Sequence, residues 1–328
     1  MCRALGVNRT SFHDWERRAP CDRALSDAWL TEKIKQIHAA SGGTYGARRV
    51  HAELRLEHQI RVGRKRVERL MRAAGISGVL PRKRRRTTVR LPGLRLAPDL
   101  IERDFRPQAP NLTWSADITY ISTWEGFLYL AHVQDLFSRL IVGWSMAEHL
   151  RAELVVSALE MALYRRRPAP GLIHHSDQGC QYTAVLFGKR CAKAGIEISM
   201  GSVGDCYDNA VCETFHASIK KERIYRQSWP TRAEARAAVF EYIEGWYNPR
   251  RRHSTLGYLS PAEFERHHAE LATSRVSTAS VAAPSNGSSP SETALTVPAD
   301  HAQAATNGGQ GTNGTGWPLR SVVQEQAR

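Results

Sequence analysis

The chain has 328 residues, enough for two domains with a substantial core, and carries a formal net charge of +14 with a pI near 9.9. Charge of that size points to a polyanionic partner, and no apolar run is long enough to span a membrane. The six cysteines (Cys2, Cys21, Cys180, Cys191, Cys206 and Cys212) form no CxxC pair and lack zinc-ligand spacing. They therefore point to reduced thiols in a cytoplasm rather than a disulfide framework, and Met1-Cys2-Arg3 opens no signal peptide.

Residues 1–26 read as a partial helical segment. Asn8-Arg9-Thr10-Ser11 makes a turn before Phe12 and Trp15, and a partner helix is expected before Met1. Residues 27–80 predict three short helices joined by tight turns, the pattern of a small helix-turn-helix-like domain. Leu30, Ile34 and Ile37 line the first. The second starts at Thr44-Tyr45-Gly46 and turns Val50 and Leu54 inward, and Val67, Leu70 and Met71 line the third, which closes at Gly75. The third helix also carries Arg64, Lys65, Arg66, Arg69 and Arg72. A solvated helix face is the plain alternative, but residues 61–90 hold 12 Lys/Arg against Glu68 alone. Repulsion at that density is costly without an anion, so Arg64, Lys65, Arg66 and Arg69 are assigned to DNA.

Residues 81–110 form a basic linker punctuated by Pro92, Pro98, Pro107 and Pro110. Arg82, Lys83, Arg84, Arg85 and Arg86 suit a phosphate backbone. From Asn111 the pattern changes to strands: 112–122, 127–135 and 140–147, joined by turns short enough for an antiparallel meander. A helix over 151–167, a strand over 171–176, a helix over 183–194 and a strand over 196–200 follow.

Two acids interrupt this strand pattern. Asp117 lies inside Trp114-Ser115-Ala116-Asp117-Ile118-Thr119-Tyr120, and Asp177 stands where a strand runs into Gly179. Asp is a poor strand former, so each requires a reason. A third acid, Glu213, sits on the helix expected after Asp208 and Asn209, sharing a face with Asn209 and Lys220. Val211, Phe215 and Ile219 form the adjacent apolar row that seats this helix on the sheet. A lone Glu on a helix is ordinarily a surface residue. Three carboxylates from two strands and a helix form an oxygen-donor set for hard divalent cations. His174 and His175 read as packing residues, and Ser176 lacks the glycine-flanked elbow of a serine hydrolase. Further on, Thr231 and Glu234 make a capping box for a helix burying Ala235, Val239, Ile243 and Trp246. Arg250, Arg251 and Arg252 follow in a loop. Residues 269–328, rich in Ser, Thr, Ala, Gly and Asn, are expected to be a disordered low-complexity tail.

Four segments in order, ADITYISTWEGFLYLAHVQDLFSRLIVGWSM (116–146), HHSDQGCQYTA (174–184), DCYDNAVCETFHASIKKE (205–222) and YNPRRRHSTLGYLSPAEFE (247–265), resemble the OrfB-type transposases of bacterial insertion sequences. Asp205 and Gln178 stand where that family often has Asn and Arg. The resemblance implies an α/β fold: a ribonuclease-H-like mixed five-stranded sheet with helices, the integrase catalytic core, over residues 111–268. It implies an Asp-Asp-Glu triad of Asp117, Asp177 and Glu213 holding Mg²⁺, with Mn²⁺ able to substitute, and DNA cleavage followed by strand transfer. Lys220, Lys221, Asn209, Arg250, Arg251 and Arg252 are expected on the DNA. The implied partners are double-stranded DNA (element ends and target), the product of an upstream overlapping frame and further copies of the chain, at the nucleoid in a bacterial cytoplasm, with no membrane. Two alternatives stand beside this reading: a nuclease that only hydrolyses, and a non-catalytic DNA-binding remnant.

Overall fold

The computed structural model describes residues 3–79, 100, 107–177, 181–200 and 210–281. The chain divides into two units, Met1–Ala279 and Ser280–Arg328.

Helix α1 (Arg9–Arg17) is capped by Asn8, whose side chain accepts from the Thr10 N–H at 2.8 Å, and it buries none of its residues. Helices α2 (Asp22–Ala40), α3 (Ala47–Leu56) and α4 (Arg64–Ala73) close on one another around Leu30, Ile34, Ile37, Tyr45, Val50, Leu54, Val67, Leu70 and Met71. The apolar spacing predicted these contacts, because residues three and four apart share a helix face.

The second part is a five-stranded sheet: β1 (Thr113–Thr123), β2 (Gly126–Asp135), β3 (Ile141–Ala147), β4 (Ile173–Ser176) and β5 (Glu197–Met200). Its order is β3-β2-β1-β4-β5, antiparallel through β1–β3 and parallel at β1–β4 and β4–β5. Helices α5 (Ala152–Arg166) and α6 (Val185–Lys193) make the long returns that parallel pairing needs. Strand alternation splits the apolar residues between two faces. Trp114, Ala116, Ala131 and Val133 pack with α5 and α6. Ile121, Leu128, Leu130 and Ile141 pack with α7 (Ala210–Glu222) and α8 (Arg232–Phe240). Gly143 lets β3 lie against α5, since a Cβ there would stand 2.2 Å from the Ala158 carbonyl oxygen. The tight turn after β2 is held by Asp135, whose carboxylate accepts from the N–H groups of Asn111 (2.7 Å) and Phe137 (2.9 Å).

Two features differ from expectation. Thr231 does cap α8, accepting from the Glu234 N–H at 3.2 Å. However, the helix widens into a π-helical stretch over Glu241–Tyr247, and Asn248 N–H donates to Ile243 O at 3.0 Å. That shift buries Tyr242 and Tyr247 beside Ile243 and leaves Trp246 half-buried, packed against both the helical cluster and the core. In addition, α9 (Pro261–Val281) continues past the boundary expected at 268. Its start is anchored by Phe264 and His268 on the Phe137 ring and by an Arg166–Glu265 pair at 2.7 Å. Thr273 and Ser274 turn their hydroxyls back onto the helix, donating to the Ala269 and Glu270 carbonyls, each at 2.9 Å.

Candidate active site

The sheet topology brings the predicted acids to one place. Strand β4 pairs with β1 only over Thr113–Ser115, so beyond that point this edge of β1 has no strand beside it among the described residues. Asp117 lies two residues further along β1. Asp177 immediately follows the end of β4, and the two carboxylates line one cavity of about 190 Å³ with Tyr120, Tyr129, Gln181 and Tyr182. Helix α7 is seated by Phe215 and Ile219, both fully buried, and by Cys212, whose thiol donates to Ser115 Oγ at 3.1 Å. Glu213, between those anchors, is exposed in the first turn.

The charges of the other two acids reach Asp117. Asp117 is pushed up to about 7, first by burial, then by the negative charges of Asp177 and Glu213; the Ile118 N–H and Lys220 oppose the rise. The Ile118 N–H donates to Asp117 Oδ1 at 2.7 Å. Oδ2 faces His216 Nδ1 at 3.5 Å, and His216 Nε2 lies 3.1 Å from Nδ1 of His132, the residue opposite Asp117 across the β1–β2 ladder. Burial lowers His132 to about 3, so its ring is neutral. The tautomers agree when His132 Nδ1–H donates to His216 Nε2 and His216 Nδ1–H faces Asp117, while the buried His132 Nε2 has no partner among the described residues. Neither histidine announces this in the sequence. The only signal is that His216 follows Glu213 by three residues on the same helix face.

All three acids are oxygen donors, the chemistry hard divalent cations take, and a cation relieves both the burial of the Asp117 charge and its repulsion by Asp177 and Glu213. Among the described residues no group of three His, Cys, Asp or Glu side chains is gathered tightly enough to hold one ion. The set therefore fits ions held by one or two carboxylates, with water and substrate oxygens completing the shell, as Mg²⁺ prefers. Two larger cavities, about 530 and 480 Å³, lie at the seam between the helical domain and the core. Acids there are matched by arginines: Glu222 by Arg251, Glu241 by Arg223, and Glu53 and Glu263 by Arg252.

The expected DNA contacts divide. Lys220 lies near the acids, its ammonium 5.0 Å over the Tyr120 ring, and Lys221 is half-buried. Arg64, Lys65 and Arg250 are exposed. Arg69 is also exposed, while Arg66 is half-buried, and both pair with Asp27 at 2.6 and 2.7 Å. Arg251 and Arg252 are interior, 4 % and 3 % exposed, which removes them from the DNA surface. Arg251 grips Glu222 at 2.7 and 2.8 Å; Arg252 binds Glu263 at 2.6 Å and Glu53 at 2.5 Å. Arg82–Arg86 and Asn209 lie outside the described residues. His174 and His175 are buried, as expected, and Cys21, Cys191 and Cys212 are free thiols.

Comparison with known proteins places this geometry. Two integrase core domain models match residues 107–206 and 194–261, and an HTH-like domain model matches 24–85. The uncharacterized 31 kDa protein of insertion element IS600 from Shigella sonnei is 42 % identical over 272 residues, covering 83 % of this chain and 100 % of that protein. The chain belongs to the integrase-core transposases of bacterial insertion sequences. A putative transposase of IS986/IS6110 from Mycobacterium tuberculosis is 41 % identical over 80 % of this transposase and 95 % of its own length. Transposase InsF of IS3A from Escherichia coli is 38 % identical over 81 % of this chain and 92 % of its own. As a member of the family, this transposase is a DNA phosphoryl-transfer enzyme acting in transposition. None of its described helices is long and apolar enough to cross a membrane.

Proposed function

We propose that Asp117, Asp177 and Glu213 are the catalytic carboxylates of this transposase, and that one site performs both end cleavage and strand transfer on double-stranded DNA. The observation that carries the assignment is that Asp117 and Asp177, from β1 and the end of β4, line one cavity, where Asp117, raised first by burial, is raised further by the charges of Asp177 and of Glu213 on α7. These carboxylates would hold Mg²⁺, or Mn²⁺ in its place, which supplies Lewis-acid stabilisation to the oxygens entering and leaving phosphorus. The chain's own contribution is position. The Ile118 N–H and His216 fix the Asp117 carboxylate, and Lys220 holds phosphate beside it. In cleavage, a water oxygen bonds to phosphorus as the bond to the leaving 3′-oxygen breaks. In transfer, a DNA 3′-hydroxyl takes the place of water, and no covalent enzyme intermediate is needed.

The DNA surface in this reading comprises Arg64, Lys65, Arg66 and Arg69 of α4, together with Lys220, Lys221 and Arg250. Arg82–Arg86 and Asn209 stay in it on their sequence. The transposase works as an oligomer on DNA at the nucleoid, with the upstream frame's product as fusion or partner. The test is nicking of a DNA duplex and joining of a 3′-hydroxyl oligonucleotide, in Mg²⁺ and in EDTA. Asp117→Asn, Asp177→Asn and Glu213→Gln should each lose both steps and keep DNA binding. Joining by any of the three refutes the triad, and nicking without joining by the wild type leaves only the hydrolytic nuclease.

A further inference from the structure

We propose that the cavity beside Asp117 and Asp177 is a nucleotide subsite: Tyr120 and Phe127 stack an unpaired base of the DNA, and the Tyr182 hydroxyl donates to the same nucleotide. This rests on the DNA strand-transfer reading above and adds to it a specific pocket for one base near the scissile phosphate.

Alternation along β1 puts Ala116, Ile118 and Tyr120 on one face of the sheet, and the first two belong to the core under α5. Past Ile118 the face remains aromatic, with Tyr129 packed on the edge of that core. Tyr120 is 54 % exposed and Phe127 48 %, with half-buried Tyr129 directly opposite Tyr120. Their ring centres are 5.0 Å apart from Tyr120 to Phe127 and 6.3 Å from Phe127 to Tyr129. A sheet face meeting water ordinarily carries polar side chains. Aromatic rings left bare at the rim of a charged cleft are a stacking platform, since every base offers a π face.

A second observation points to a ligand independently. Tyr182 lines the same cavity and is 3 % exposed, yet its buried hydroxyl has no partner among the described residues. Its ring is packed by Phe187 at 5.5 Å, so packing accounts for the ring and not for the oxygen. A buried hydroxyl left unpaired costs free energy that a bound donor–acceptor group restores. The Lys220 ammonium over Tyr120 adds a phosphate-binding charge at the rim.

Distance sets which base is meant. Tyr120 follows Asp117 by three residues of extended strand, about 10 Å, and the two reach the cavity from opposite faces of β1 around its open edge. That length spans about three stacked nucleotide steps of ~3.4 Å. A base inside a duplex has both faces covered, so the base taken here is frayed or turned out of the stack.

The full chain would be tested with a DNA duplex bearing an unpaired 3′ end of about three nucleotides, with 5-iododeoxyuridine placed at each in turn, and with the matching blunt duplex. Irradiation should cross-link Tyr120 or Phe127, as read by mass spectrometry. The double variant Tyr120→Ala/Phe127→Ala should bind the unpaired end about 5- to 150-fold more weakly, the range for losing one base–aromatic stack, and the blunt duplex unchanged. Tyr182→Phe should weaken binding of the same end about 2- to 12-fold, as for one hydrogen bond, with no fall in melting temperature. Cross-links confined to other residues, or equal affinities for the unpaired end, overturn the subsite. So does a Tyr182→Phe protein that melts lower, which makes the hydroxyl structural. A smaller species for the double variant on gel filtration also overturns it, because a second copy then covers the face. Nicking of the same probe in Mg²⁺ keeps the two readings apart. A wild type that nicks without these cross-links fails the subsite alone, and one that cross-links without nicking fails the catalytic reading alone.

Discussion

Replacing Arg251 by Met tests whether the basic loop after the π-helical stretch is part of the interior. Arg251 is 4 % exposed, and its guanidinium makes two bonds to Glu222, at 2.7 and 2.8 Å, and one to Ser218 Oγ at 2.9 Å. Removing one partner of a buried pair costs about 3–5 kcal/mol, because the other charge is stranded. Here Glu222 retains Tyr242 Oη at 2.9 Å and Arg49 at 3.4 Å, which places the loss near the low end, about 3 kcal/mol. At roughly 2–4 °C per kcal/mol for a unit of this size, the midpoint should fall by about 6–12 °C. Adding Glu222→Gln removes the stranded charge, so the double variant should recover most of the loss, a non-additivity that neighbours in one network show. The assay is melting followed by circular dichroism, with DNA affinity measured in parallel. A single variant that melts like the wild type but loses DNA affinity would refute the reasoning and return Arg251 to the DNA surface. A double variant no better than the single one would show that the cost lies elsewhere.

Three further outcomes follow from particular contacts. Gly143→Ala should cost about 1–3 kcal/mol by forcing β3 off α5; an unchanged melting midpoint means that this close approach relaxes freely. His216→Ala should raise the Mg²⁺ concentration needed for half-maximal thermal stabilisation by about 10- to 100-fold, the usual cost of losing a ligand's supporting partner, whereas an unchanged Mg²⁺ response leaves Asp117 fixed by Ile118 alone. Burial works to raise Glu222, but the charges and hydrogen bonds of Arg251 and the charge of Arg49 outweigh it and hold the carboxyl below its ordinary 4.5. Stability from this pair is therefore complete above about 4.5 and lost as pH falls through the lower folded value. The midpoint gap between wild type and Glu222→Gln should shrink there, and a gap constant down to pH 2 would contradict the pairing.

What was legible in the sequence was whatever depends on neighbours along the chain. Leu30, Ile34 and Ile37, or Val211, Phe215 and Ile219, declare a buried face by spacing alone, and all six are buried. Asp117 and Asp177 stood out because a strand has no use for them. What was hidden depends on partners distant in sequence. Arg251 and Arg252 look like a solvated basic loop until Glu222, Glu53 and Glu263 are brought to them, and Glu222 itself reads as the end of a surface run after Lys220 and Lys221. The His132–His216 contact joins residues 84 positions apart and has no local signature. Periodicity likewise missed the π-helical stretch, because hydrogen bonds that reach back five residues and not four move Trp246 off the face that the regular spacing assigns to it.

Helix α7 carries Glu213 near one end and Glu222 at the other, about 13.5 Å apart at 1.5 Å per residue. The far end is clasped by Arg49 of α3 in the helical domain as well as by Arg251, so the rod bearing a candidate catalytic acid is also the peg on which that domain hangs. Exchange of the helical domain between related elements is therefore constrained in heredity as well as in shape. A grafted domain that lacks the counterparts of Arg49 and Glu53 leaves Glu222 and Arg252 each short of a partner inside the seam. Recombinants between elements should remain viable when the breakpoint carries these pairs across together, and should decay when it separates them.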